Sequence, residues 1–205
     1  MLRALILIAA LAFAPIAASA QTAAAPPAVT RTDRILGRAD APVTLIEYAS
    51  LVCSHCGDWH RTVYPEFKRR FIDTGRVRMV FRDFPTQPVP VAARASGIAR
   101  CAAPARFYDV IDTLFDGQEA LFAGGPAAPW YASGVAASGR TQAQIDACLA
   151  DPATLEALRA SITGATAAGV EGTPSFFVNG RRVADSSLNG LTAAITPLLP
   201  RSRRR

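Results

Sequence analysis

The stretch Val43-Thr44-Leu45-Ile46-Glu47-Tyr48-Ala49-Ser50-Leu51-Val52-Cys53-Ser54-His55-Cys56 decides the architecture of this chain. Its first seven residues follow Pro42 and form an apolar run with β-branched members and one acid, the pattern of a buried strand. Two cysteines separated by Ser54 and His55 then open an amphipathic helix, in which Trp59, Val63, Phe67 and Phe71 recur every four residues on one face. Pro65 removes one backbone donor, so a kink is expected there. Thr74-Gly75 ends the helix, and Val77, Met79 and Phe81 alternate with Arg78, Val80 and Arg82 as a second strand. Strand, helix and strand in this order predict a βαβ unit with parallel strands.

Downstream the texture changes. From Pro85 to about Gly169 the chain is Ala-rich with no convincing strand. Helices are expected over Val91–Cys101, Ala105–Phe115 and Pro129–Ala137. Thr141 to Gln144 makes a capping box before Ile145, Cys148 and Leu149, and Asp151-Pro152 starts another helix. Ser175 to Val178, the turn Asn179-Gly180 and Arg181 to Ala184 read as a hairpin, followed by a helix near Leu188–Ile195. The fold class is α/β: βαβ, a helical insertion over about residues 86–169, then ββα.

Residues 1–20 carry the marks of a signal peptide: Arg3, an apolar stretch from Ala4 to Ala14, and an A-x-A site at Ala18-Ser19-Ala20. The apolar run is too short for an ordinary membrane span. Residues 21–34 read as a flexible Ala/Pro-rich leader, 35–199 as one domain, and 200–205 as a basic disordered tail. Export directs the chain to the periplasm, where disulfides persist. The net charge of +6 sits at the ends: without Arg3, Arg201, Arg203, Arg204 and Arg205 the body carries +1. No basic stripe with interleaved aromatics remains, which argues against nucleic-acid binding.

A lone C-x-x-C is compatible with a metal, a structural disulfide or redox exchange. Zinc would need a second cysteine pair or a spaced His pair, and His55 and His60 stand too close to the motif to supply it. The redox reading fits best. At the helix N-terminus Cys53 is the candidate nucleophile, held as thiolate by first-turn N–H groups, and Cys56 the more buried resolving thiol. His55 is a candidate to donate to, or attract, that thiolate; the plainer alternative is an exposed helix residue. No metal and no bound cofactor are expected.

Cys-x-His-Cys after a strand with Trp59 following, Arg82-Asp83-Phe84-Pro85 after the second strand, and Gly172-Thr173-Pro174 before the third together resemble the DsbA-like proteins of the thioredoxin superfamily. The resemblance runs from about Ile35 to Leu199 and implies a thioredoxin fold. It implies a periplasmic oxidase that passes a disulfide to exported proteins with free thiols and is reoxidised by a quinone-linked membrane partner. It further implies a cis bond before Pro174, a Thr173-Pro174 loop facing Cys53 that binds extended substrate, and a buried acid, Glu47, serving proton transfer at Cys56. Ser54 stands where Pro is common, and Thr173 where some oxidases carry Val. A reductase or isomerase on the same fold, and a thioredoxin-like peptide-binding or chaperone module, are the alternatives. No dimerisation segment is evident, so a monomer is expected.

Cys101 and Cys148 fall on two helices of the insertion. Four cysteines in an exported chain most simply form two bridges, which pairs these with each other; free buried thiols or a redox relay are the other readings.

Overall fold

The computed structural model describes residues 25–200. The expected signal peptide, the first part of the leader and the arginines of the tail lie outside them.

Five strands form one sheet in the order β1-β3-β2-β4-β5: β1 (Ile35–Leu36), β2 (Val43–Ala49), β3 (Val77–Asp83), β4 (Ser175–Val178) and β5 (Arg181–Val183). β2 and β3 run parallel, and the other pairs are antiparallel. The parallel pair is joined by α1 (Ser54–Thr62) and α2 (Tyr64–Phe67), which continues as one π turn over Lys68–Ile72. The interruption at Val63 sits where Pro65 removes a backbone donor, as its sequence position dictates. Between β3 and β4 come α3 (Val89–Cys101), α4 (Phe107–Asp116), α5 (Gln118–Phe122), α6 (Ala127–Ala137), α7 (Gln142–Leu149) and α8 (Pro152–Ala167); α9 (Leu188–Ile195) closes the order. The capping box is complete, with Thr141 Oγ1 accepting from Gln144 N and Gln144 Oε1 accepting from Thr141 N. Edge strand β1 and the short α5 carry no periodic signal in the sequence.

Side chains alternate across a strand, and β2 is covered on both faces. Val43 and Leu45 pack with Trp59, Phe67, Phe71, Met79, Phe176 and Leu191 beneath α1, α2 and α9. Ile46 and Tyr48 point the other way, joining Val80, Phe177 and Ala165 beneath α8. Leu51, Val52 and Cys56 belong to a third cluster with Ile98, Ile111, Leu114 and Phe115 of the insertion. The insertion therefore packs directly against the C-terminal end of β2, where the cysteines stand.

Residues 25–34, expected as flexible leader, are tied to the sheet. Arg82, buried on β3, donates from Nη1 to the Pro27 carbonyl at 2.8 Å and from Nη2 to the Ala28 carbonyl at 3.1 Å. It also pairs with Asp33 at 2.9 Å. A buried guanidinium has five donors to satisfy, and this segment satisfies most of them. Ala/Pro composition does not reveal that demand.

Candidate active site

β2 delivers the site by its alternation. Glu47, two residues after Leu45, points to the α1 side and is completely buried. Beyond the strand, Ser50 Oγ accepts from Thr86 N at 3.1 Å, and the Thr86 hydroxyl lies 3.0 Å from it, which ties the turn before Cys53 to the loop after β3. Gln118 of α5 spans the same turn, with Nε2 donating to the carbonyls of Leu51 at 2.8 Å and Cys53 at 3.2 Å. The side chain is fully buried, and Gly57 makes room for it: a Cβ there would lie 2.0 Å from Gln118 Oε1.

Cys53 is the N-cap of α1, half-buried, and Cys56 lies one turn in, fully buried; both are free thiols. The Thr173-Pro174 peptide is cis and faces the first sulfur. Cys53 Sγ is 3.3 Å from the Thr173 carbonyl oxygen, to which the protonated thiol donates. The Cys53 thiol is lowered to about 5, chiefly because Cys56 donates a hydrogen bond to its thiolate. Partial burial works against this, whereas the Thr173 hydroxyl and the backbone N–H groups of Cys56 and His55 assist. Cys56 moves the opposite way, held well above the ordinary thiol range by burial first, then by its bond to Cys53 and the negative charge of Glu47. One sulfur is made nucleophilic and the other keeps its proton.

Two expectations change in detail. The imidazole of His55 is exposed and makes no hydrogen bond among the described residues, so the residue reaches Cys53 through its backbone N–H. A first-turn side chain on the outer face of α1 points away from the cap. Glu47 is not an isolated acid: His60 Nε2 lies 3.0 Å from Glu47 Oε2. His60, placed by the sequence only as too near Cys56 for zinc, faces the strand because it follows Cys56 by one helical turn. That spacing, set against an acid on the facing strand, is the signal that could have found the pair. Gln118 had no such signal, being one polar residue on an unpredicted five-residue helix.

Cys101 at the end of α3 and Cys148 near the end of α7 are bonded, which ties two insertion helices together. Thr154 Oγ1 donates to the Cys148 carbonyl at 2.8 Å and fastens the start of α8 beside the bridge.

A family model described as thioredoxin matches residues 29–196. A Rickettsia bellii (strain RML369-C) protein with the provisional name protein-disulfide oxidoreductase is 30% identical over 177 residues, which cover 85% of this chain and 68% of that protein. A protein of the same name from Rickettsia felis is 28% identical over 83% of this chain and 62% of its own length. The chain thus spans roughly two thirds of these curated relatives. Among solved structures, Wolbachia pipientis α-DsbA1 superposes with a TM-score of 0.72 at 24% identity, covering 83% of this chain and 92% of that one. At that identity the likeness is one of fold.

Proposed function

We propose that this chain, which belongs to the thioredoxin family and to its protein-disulfide oxidoreductases, donates the Cys53–Cys56 disulfide to exported proteins that carry free thiols. A substrate thiolate attacks Cys53 Sγ, the Cys53–Cys56 bond breaks, and Cys56 leaves as a thiolate that takes up a proton. A second substrate thiolate then attacks the substrate sulfur of the mixed disulfide. The substrate disulfide forms and Cys53 departs as a thiolate. A quinone-linked membrane partner restores the enzyme disulfide.

The observation that carries the reading is the place of Cys53 at the N-cap of α1 against the cis Thr173-Pro174 loop, where Cys56 and the first-turn N–H groups favour its thiolate. Whatever stabilises the departing thiolate stabilises the reduced enzyme, and so makes its disulfide the stronger oxidant. The Thr173-Pro174 loop supplies a backbone edge against which an extended substrate strand can pair. No helix among the described residues is long and apolar enough to cross a membrane. We place the protein in the periplasm as a monomer, with no metal or cofactor in the exchange step.

The test is the equilibrium potential of the Cys53–Cys56 couple in glutathione buffers, read by alkylation and mass. A value near or above roughly −180 mV is expected of a donor of disulfides. A value at or below roughly −230 mV would sink the oxidase reading and favour the reductase or isomerase.

A further inference from the structure

Each exchange requires Cys56 to gain or lose a proton, yet Cys56 and Glu47 are both 0% exposed. Neither group meets water. His60 of α1 lies between them and the surface, its own side chain 3% exposed. Nε2 faces Glu47 Oε2 at 3.0 Å. Nδ1 is buried without a hydrogen-bond partner and lies 3.9 Å from Asp112 Oδ1 on α4. Asp112 is 45% exposed at its side chain, so it reaches solvent. Phe115 stacks on the imidazole at 4.2 Å between ring centroids, and Tyr64 flanks it at 4.9 Å, which fixes the ring plane. A ring turned over would offer carbon to both carboxylates, so hydrogen bonding selects this orientation.

We propose that His60 is the relay by which protons pass between the Cys56–Glu47 pair and water, with Asp112 as its outer terminus. The proposal rests on the dithiol-exchange reading above. Glu47 Oε1 is buried without a hydrogen-bond partner, and the charge of Glu47 bears on the Cys56 thiol. In the inward transit Nε2 gives its proton to Glu47 and Glu47 passes one to the Cys56 thiolate, which leaves Glu47 ionised beside the Cys56 thiol. Nδ1 then takes one from Asp112, which water restores. During reoxidation Cys56 loses its proton, and the same atoms carry it outward. The two transits are opposite, so one catalytic cycle returns the imidazole to its starting tautomer without a ring flip.

The surroundings suit that task. Burial raises the Asp112 carboxyl to about 6; His60 and Lys68 oppose the rise, and Asp116 and Asp109 add to it. A group that titrates there both gives and accepts protons near neutrality. Tyr64, on the next helix, is pushed up by burial and by Asp112, Glu47, Asp73 and Asp109, so its phenol keeps its proton and does not compete. Cys56, Glu47, Tyr64, Lys68, Asp73, Asp109, Asp112 and Asp116 are the titratable groups that bear on this path.

The experiment is stopped-flow reduction of the oxidised full chain by dithiothreitol from pH 5 to 8, followed by tryptophan fluorescence and normalised to the reagent's thiolate fraction. The normalised wild-type rate should fall as pH rises through about 6, the range in which Asp112 loses its proton. Asp112→Asn, a change at the surface, should abolish that inflection while leaving the melting curve and the equilibrium potential in place. His60→Gln keeps a donor for Glu47 but has no second nitrogen, and should react about tenfold more slowly, modest beside the ~10²–10⁴-fold of a direct acid–base group. An inflection that survives in Asp112→Asn overturns the relay, whatever His60→Gln does. A wild-type disulfide that does not exchange with the reagent at any pH overturns the functional reading and the relay with it. Exchange with an unaltered profile in the variant removes the relay alone.

Discussion

Lowering the pH of the reduced protein should withdraw a stabilisation that belongs to Cys53. Its thiol is lowered from 9.0 to about 5 in the fold, chiefly by the hydrogen bond from Cys56. Because the folded value is the depressed one, the contribution is complete above the unfolded value, shrinks through the interval between the two, and vanishes as pH falls through about 5. At pH 7 the folded thiol is ionised and the unfolded one is not, a difference of about two pH units at ~1.36 kcal/mol each. Cys53 is only half-buried, and solvent screening cuts this to about 1–1.5 kcal/mol. The same energy places the disulfide roughly 30 mV above one whose nucleophile is an ordinary thiol. Absorbance of the reduced protein at 240 nm should therefore step near pH 5 and the step should be absent in Cys53→Ser. Urea unfolding of wild type minus Cys53→Ser should grow by about 1–1.5 kcal/mol from pH 4 to 7. A thiolate step above pH ~8, or a flat stability difference, would refute the reasoning.

Arg82→Ala leaves the partly buried Asp33 without its cation and frees the carbonyls of Pro27 and Ala28. About 3 kcal/mol of stability should be lost in denaturant titration, with protease cleavage appearing before Ile35. Unchanged protease resistance there would show that the ties to residues 25–34 do not hold the segment. Replacing Cys101 and Cys148 by Ala opens a loop with a sequence separation of 47 and should cost about 4 kcal/mol by the chain-entropy argument. Its exchange rate at Cys53 should match wild type; a large change would assign the second pair to the redox chemistry instead. Gly57→Ala drives a methyl into Gln118 Oε1 and loosens the turn before Cys53. A loss of about 1–3 kcal/mol, with a changed rate of Cys53 alkylation, is expected, and native values in both assays would show that Gln118 does not position the turn.

Much of this molecule is legible along one dimension. The run Val43–Ala49, the four-residue recurrence from Trp59 to Phe71, the turn at Asn179-Gly180 and the box at Thr141–Gln144 each declare an element through a local period or cap, and each element forms. The cysteines declare their chemistry too, because a sulfur at a helix start meets N–H groups supplied by its own neighbours in sequence. What sequence determined was therefore whatever depends on contacts within a few residues. Tertiary structure decided the remainder. Glu47 and His60 are 13 residues apart, and Gln118 reaches a carbonyl 67 residues away. A period tells which face of an element is buried, not which residue lies across from it. The docking of residues 25–34 has the same origin, since its cause is the unmet hydrogen-bonding demand of Arg82 on another strand. Burying a polar group is costly unless a partner arrives, and the partner is chosen by the packing of the whole fold.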